Sequence, residues 1–385
     1  MSTASGLEFF DADNLADPYA FYEKHRAQGV NFYPRAEAYL KEKGFGRVPH
    51  VIVMDPPRHT AFRGVLDKVL REKRFHQMRP QIRTLATALI DGFAEAGQCE
   101  FVRDYAWKLS VLVVADLLGV DRARIDEYKR WADDWVRPLL RPLPEDEMIE
   151  CMDSIAALQH YLAGELDDRK LQPRDDLLTD IAHATFDVGH GEVPLRQHEQ
   201  LGLCEALIVA ANDTTANALS LGMLRLVEHP AIVSRIRGER KMIERFAEES
   251  LRYEGAVQSN FRTLVADADF HGVRMKKGAS VLISWAAANH DAAEYPNPRV
   301  FELDRASVRS HLGFGGGIHA CPGAALARQE LAESYDLLLQ RLDNFRLQDG
   351  LNPGAIRRMG GLVTHGLAEL PLRFEARAGS APIGH

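Results

Sequence analysis

The 385-residue chain has no run of about twenty apolar residues, so no stretch of it reads as a bilayer-spanning helix. Met1 to Phe10 has neither the basic start nor the apolar middle of a secretory signal. The four cysteines, at 99, 151, 204 and 321, form no Cys-x-x-Cys and no paired spacing, which argues against a zinc site and a disulfide framework. Positive charge is not in excess: 47 Lys and Arg face 55 Asp and Glu, leaving a net charge of -8, so nucleic acid is not the expected partner. Internal repeats and low-complexity tracts are absent as well. These absences predict a cytoplasmic, membrane-free protein. What remains is ordinary for a globular chain, 46% hydrophobic and 26% charged residues, with enough length to bury a core that hides a cofactor.

The most informative stretch is His311-Leu-Gly-Phe314-Gly315-Gly316-Gly317-Ile-His319-Ala-Cys321-Pro322-Gly323. Its glycines let the backbone come close to a flat or bulky group and supply positive φ where other residues cannot. Pro322 and the Ala- and Leu-rich run after it predict a helix starting at Pro322, which puts the thiol at a helix N-terminus. There the free amides favour an anionic sulfur, so Cys321 is expected to ionise more readily than an ordinary cysteine.

Residues 314 to 323 resemble, position for position, the haem-binding signature of the cytochrome P-450 family, Phe-x-x-Gly-x-His/Arg-x-Cys-x-Gly. The resemblance implies haem b (iron protoporphyrin IX) with Cys321 as the axial thiolate on the metal, and Phe314, His319 and Gly323 among the cofactor-binding residues. Other segments agree, in the family's order. Asp55-Pro-Pro-Arg-His59-Thr-Ala-Phe-Arg63 opens a helix, with Asp55 a candidate cap and His59 and Arg63 on one face. In the family such a pair holds the haem propionates, and Arg262 stands where relatives place another propionate-binding arginine.

Leu195 to His229 reads as one unbroken helix, about 50 Å long at 1.5 Å per residue. Its middle, Ala210-Ala211-Asn212-Asp213-Thr214-Thr215, puts polar groups inside an apolar helix, where they are costly unless used. A threonine hydroxyl bonding one turn back bends a helix there. The stretch resembles the family's distal-helix motif. That likeness gives Asp213 and Thr214 a catalytic role in proton delivery and makes the small Ala210 part of the cofactor site. Further on, Glu249-Ser-Leu-Arg252 matches the family's Glu-x-x-Arg, a structural pair expected to lock the meander Tyr295 to Phe301.

The expected fold is mainly α with a minor β portion, the cytochrome P-450 fold, as one domain over 1–385. Helices are expected at Asp17–Gly29, Pro34–Lys43, Arg79–Ala96, Tyr105–Leu118, Asp121–Arg137, Pro144–Lys170, Asp175–Phe186 and Arg240–Tyr253. Strands are expected around Phe261–Val265, in a hairpin over Phe270–Gly278, at Val281–Ser284 and in the tail Leu362–Phe374. The front region, about 30–54, is shorter than the family pattern, with only Val30 to Tyr33 where paired strands are expected.

The resemblance implies a haem-thiolate monooxygenase that inserts one oxygen atom from O2 into a small hydrophobic substrate. Electrons would come from a ferredoxin and its NAD(P)H-dependent reductase, docking on the basic run Arg63, Lys68, Arg71, Lys73, Arg74, Arg79. Leu207, Ala210, Val257 to Ser259 and Val363 are expected to line the pocket. Two other readings stand beside this one: a peroxide-driven peroxygenase of the same fold, and a non-catalytic haem sensor. The pair Asp213 and Thr214 counts against the first.

Overall fold

A computed structural model describes residues 34–140, 143–187 and 191–377; the expected helix Asp17–Gly29 and the segment Val30–Tyr33 lie outside them. The architecture is mainly α with small antiparallel sheets. Helix α1 (Pro34–Lys43) packs on the later helix α6 (Glu145–Leu171). Helix α2 (Arg58–Val69) follows a turn in which Asp55 accepts the His59 amide through its backbone carbonyl; its side chain makes no capping bond, contrary to expectation.

Helix α3 (Glu72–Ala94) starts earlier than the sequence suggests, because Pro80 reads as a first-turn residue and instead sits inside the helix. Strand β1 (Gln98–Glu100) leads into a π turn, Val102–Ala106, then α4 (Trp107–Leu118), which Gly119 ends with a left-handed cap. Helix α5 (Ile125–Leu140) and α6 pack side by side. The expected helix at 175–186 is shorter: α7 covers Leu177–Ala182, and β2 (Thr185–Asp187) pairs with β3 (Glu192–Pro194). Asp176 caps α7 by accepting the Thr179 amide, while Thr185 and Phe186, one β-branched and one aromatic, suit the strand.

The fold is arranged around α8 (Gln197–Glu228), which packs against most of the helices from α4 onward and whose residues are mostly buried. Such a helix carries apolar residues on all sides, and besides its polar middle it buries Glu199, Gln200, Glu205 and Ser220. Pro230 ends it and, as first residue, starts a helix that the sequence reading does not anticipate, α9 (Pro230–Gly238). Helix α10 (Met242–Tyr253) carries the Glu-x-x-Arg pair.

Strand β4 (Ser259–Thr263) pairs with β7 (Ser280–Ser284), and between them β5 (Ala268–Phe270) and β6 (Val273–Met275) form the expected hairpin, turning at His271 and Gly272, both at positive φ. A single turn, α11 (Trp285–Ala288), precedes the meander. Helix α12 (Ala324–Arg341) follows the cysteine loop; it begins at Ala324, not Pro322, with Gly323 at its N-cap. Strands β8 (Leu342–Leu347), β9 (Arg358–Gly360), β10 (His365–Leu367) and β11 (Pro371–Ala376) close the chain, β11 lying between β1 and β8. Among the described residues, no helix is long and apolar enough to cross a membrane.

Candidate active site

A cavity of about 310 Å³ opens between α8, the start of α12 and the cysteine loop. Of the residues singled out in the sequence, Ala210, Thr214, Arg262, Phe314, His319, Cys321 and Gly323 line it. Leu207 and Val257 of the expected pocket set line it too. Ser259 instead turns away to donate to the Leu362 carbonyl, and Val363 is not among the lining residues.

The loop reaches the cavity by turning at Gly315 and Gly317, with φ of +68° and +69°, a backbone shape that strains any residue with a Cβ. The Cys321 amide donates to the Phe314 carbonyl at 3.0 Å, closing the turn and facing the sulfur inward. That sulfur opens to the cavity, where its surface is accessible. Burial pushes the Cys321 thiol above its ordinary value; the Gly323 amide, then Arg63, Arg328 and the Ala324 amide, oppose this without prevailing. The expectation that Cys321 ionises more readily than an ordinary cysteine is therefore corrected. The amides and arginines favour the anion, but a buried sulfur needs a cation in contact to stay ionised.

His59 and Arg63 reach the cavity indirectly. His59 is buried with its ring 4.3 Å from that of His319. Arg63 donates to the Ala320 carbonyl at 2.6 Å, tying α2 to the loop beside Cys321, and also to Asp67 at 2.9 Å. Arg262 donates to its own Phe261 carbonyl. Burial, then His59 and Arg262, and more weakly Arg63, hold His319 below its ordinary value, with only Asp55 acting the other way. Four cationic or donor side chains thus crowd one edge of the cavity with little negative charge among them. Carboxylates brought by a ligand would relieve that crowding.

On the opposite wall the Thr214 hydroxyl donates to the Ala210 carbonyl at 2.7 Å, the backward bond expected of it. Ser110 on α4 donates to the next carbonyl, Ala211, at 2.9 Å, so two successive carbonyls of α8 are drawn into side-chain bonds. Asp213 is elsewhere. It does not line the cavity; its carboxylate lies 3.7 Å from Lys129 on α5, which also pairs with Asp133.

The loop is held from behind by charges. Glu249 and Arg252 are fully buried and bidentate at 2.7 and 2.8 Å; Arg252 donates to the carbonyls of Asn289 and Pro298, and Arg305 joins Glu249 while donating to those of Pro296 and Val300. The expected lock on the meander is present. Sequence reasoning missed its neighbour Glu248, which accepts from His311 at 2.9 Å and from Arg328 at 2.6 Å. Arg328 in turn lies 4.6 Å over the Phe314 ring. His311 Nδ1 accepts the Gly313 amide, so Nε2 carries the proton given to Glu248. One carboxylate thereby fixes both ends of the cysteine loop.

Comparison with known proteins agrees with this geometry. A sequence model of the family described as Cytochrome P450 matches residues 128–365. The chain is 29% identical to "Cytochrome P450 monooxygenase PikC" of Streptomyces venezuelae, over 94% of its own length and 92% of the relative's. It is 31% identical to "Steroid C26-monooxygenase" of Mycobacterium tuberculosis, over 88% of each chain. Among solved structures it is similar to "cytochrome P450 CREJ in complex with (4-ethylphenyl) dihydrogen phosphate", with a TM-score of 0.82, 25% identity, and 89% and 84% of the two chains covered.

Proposed function

Because the chain belongs to the cytochrome P450 family of haem monooxygenases, we propose that it binds haem b through Cys321 and hydroxylates a compact hydrophobic substrate, with electrons from a ferredoxin and its NAD(P)H-dependent reductase. The observation that carries this reading is the placement of Cys321 in one cavity with Ala210 and Thr214, the sulfur backed by the Gly323 and Ala324 amides. The residues present fit the cofactor. A sulfur backed by amides and two arginines suits an iron cation, and the crowded edge of His59, Arg63, Arg262 and His319 suits two propionates.

When bound, haem supplies oxygen activation and transfer of an oxygen atom into a C–H bond. The chain supplies the rest. Leu207, Ala210, Ala211, Ala256 and Val257 offer an apolar wall that keeps water away and selects a hydrophobic ligand. Thr214 presents its hydroxyl to the cavity, anchored to Ala210, and can pass a proton there. Asp213, on the same turn, faces Lys129 and connects Thr214 with the α5 side of the protein. Gly316 and Gly323 leave space for a flat group, since a Cβ at either would touch nothing closer than 3.7 Å.

The docking face is smaller than the sequence suggests. Lys68 pairs with Glu192, Arg74 with Asp180, Arg79 with Glu333, and Arg63 with Asp67. Arg71, at the N-cap of α3, and Lys73, in its first turn, have no acidic partner among the described residues and would carry the attraction for an acidic ferredoxin. Reversing both charges, with Arg71→Glu and Lys73→Glu, should slow ferredoxin-driven reduction several-fold at low ionic strength and little in high salt; reduction at an unchanged rate would remove this face from the proposal.

A reduced carbon monoxide spectrum tests the whole reading. The purified protein should give the red-shifted band of a thiolate-ligated haem, and Cys321→His the band of a histidine-ligated one. A histidine-type band in freshly prepared wild-type protein would overturn the ligand assignment. Stable oxygen binding with no oxidised product would favour the sensor.

A further inference from the structure

Two stretches far apart in the sequence run side by side behind the apolar wall. Residues 256–259, which follow α10, lie against 362–365, the turn and first strand residue of the hairpin β9–β10. The Gln258 amide donates to the Val363 carbonyl at 2.8 Å, the His365 amide donates to the Ala256 carbonyl at 2.8 Å, and Val257 sits opposite Thr364 in an antiparallel bridge. Ser259 adds its hydroxyl bond to Leu362. Ala256 and Val257 line the cavity, whereas no residue from 358 to 367 does. The hairpin therefore acts on a ligand in the cavity through the loop it carries.

The hairpin is itself fastened by charge. Glu254, the C-cap of α10 and two residues before Ala256, is met by basic side chains from three other elements. Arg225 of α8 lies 3.2 Å from its Oε2, Arg358 of β9 pairs with its Oε1, and His365 Nε2 of β10 is 2.9 Å from the same Oε1. Arg225 also pairs with Glu228 at 2.5 Å and lies over the Tyr253 ring, which fixes its place. Burial by itself raises the Glu254 carboxyl, yet His365, Arg225 and Arg358 hold it below its ordinary value. His365 Nε2 faces an acceptor and a donor at once, for it is also 2.9 Å from Arg358 Nη1. With a proton it donates to Glu254, and without one it accepts from Arg358, so the ring is held in either form. On its other side the hairpin rests on α8 at Gly366, where a Cβ would come within 2.4 Å of the Asn217 Cγ.

We propose that Glu254, Arg225, Arg358 and His365 form a clasp that sets how far Ala256 and Val257 project into the cavity, which makes Glu254 and His365 positioning residues for the size and orientation of the apolar ligand. The effect on ligands rests on the haem reading; the clasp itself does not. Loss of the Glu254 charge leaves Arg225 and Arg358 facing one another as like charges, which drives β9 away from α8. The backbone bonds at Ala256 and Gln258 flank Val257 on both sides, so that residue follows the hairpin when it moves.

Two nitrogen ligands of haem iron separate the wall from the metal. Imidazole reads the iron site alone, and 4-phenylimidazole adds a phenyl group that must fit against the wall. In optical titrations of the holoenzyme, Glu254→Gln and His365→Phe should each bind 4-phenylimidazole several-fold more weakly than wild type, with imidazole affinity and the carbon monoxide band unchanged. His365→Gln, which keeps a group able to donate to Glu254 or accept from Arg358, should stay near wild type. The order of the two His365 variants separates bonding from packing, because phenylalanine keeps the shape of the ring and glutamine does not. Wild-type affinity in His365→Phe with weakened binding in His365→Gln would overturn the clasp, and so would equal weakening of both probes in Glu254→Gln. Hydrogen exchange supplies a readout that needs no haem: the Gln258 and His365 amides should exchange faster in Glu254→Gln than in wild type. Unchanged exchange at both overturns the clasp. If the wild type took up no haem, the haem reading would fall while the exchange result still decided the clasp.

Discussion

The two walls of the cavity are built on opposite rules. Behind the cysteine loop the charged groups are closed on one another: Glu249 with Arg252 and Arg305, Glu248 with His311 and Arg328. Along α8 and the segment that crosses it, buried polar atoms are left open. Nδ1 of His50, Oε1 of Glu205 and both amide atoms of Asn212, behind the cavity lining, have no partner among the described residues, and neither has Oε2 of Glu330, which lines the cavity from α12. A network with every member satisfied holds one geometry, which a metal ligand needs; groups left open serve whatever enters. The comparison assigns rigidity to the cysteine side and adaptability to the α8 side.

The larger effect should come from the closed wall. Glu248 is buried, which by itself raises its carboxyl, but His311 and Arg328 together bring it down to about 2. Its folded value lies below its unfolded one, so it stabilises the fold above about pH 4.5 and ceases to as the pH falls toward its folded value. The contribution at neutral pH is on the order of 3 kcal/mol. Glu248→Gln should therefore be less stable than wild type at pH 7 by denaturant unfolding, with the gap narrowing as the pH is lowered to about 3. Because Arg328 also holds Phe314, the variant should lose cofactor faster. A gap independent of pH would show that Glu248 acts by packing alone.

That residue also shows where the sequence stops being legible. Cys321 and its glycines are readable because the motif is contiguous, and Glu249 with Arg252 because a helical turn brings them together. Glu248 has the same address and no such signal: its partners are 63 and 80 residues away. Thr214 was placed on the cavity by its motif, but the rotation of about 100° per residue along α8 carries Asp213 round to Lys129, a partner from another helix. Glu330 carries no signal in the sequence, where it is one glutamate in an Ala- and Leu-rich helix, and its burial comes from packing. The basic run at 63–79 is partly neutralised for the same reason in reverse, since the acids that pair Lys68, Arg74 and Arg79 come from distant elements.

The open wall should break more gently and in a different observable. Segment Pro49–Val53 crosses α8 at Gly202, where a Cβ would lie 2.1 Å from the Pro49 carbonyl oxygen and 2.9 Å from its carbon. Those are backbone atoms, so the segment itself would have to move. Beside this crossing His50 bonds Glu205 at 3.2 Å and rests on Trp135, His198 bonds the Arg47 carbonyl at 3.0 Å, and Ile52 reaches the cavity. Gly202→Ala should cost about 1–3 kcal/mol of stability, the usual range for overpacking. Its sharper signature is a split. Lifting the segment withdraws Ile52 and loosens substrate binding several-fold in a titration, while the carbon monoxide spectrum stays as in wild type because the cysteine wall is untouched. A variant with altered ligation and unchanged substrate affinity would reverse the assignment, placing adaptability on the cysteine side and rigidity on α8.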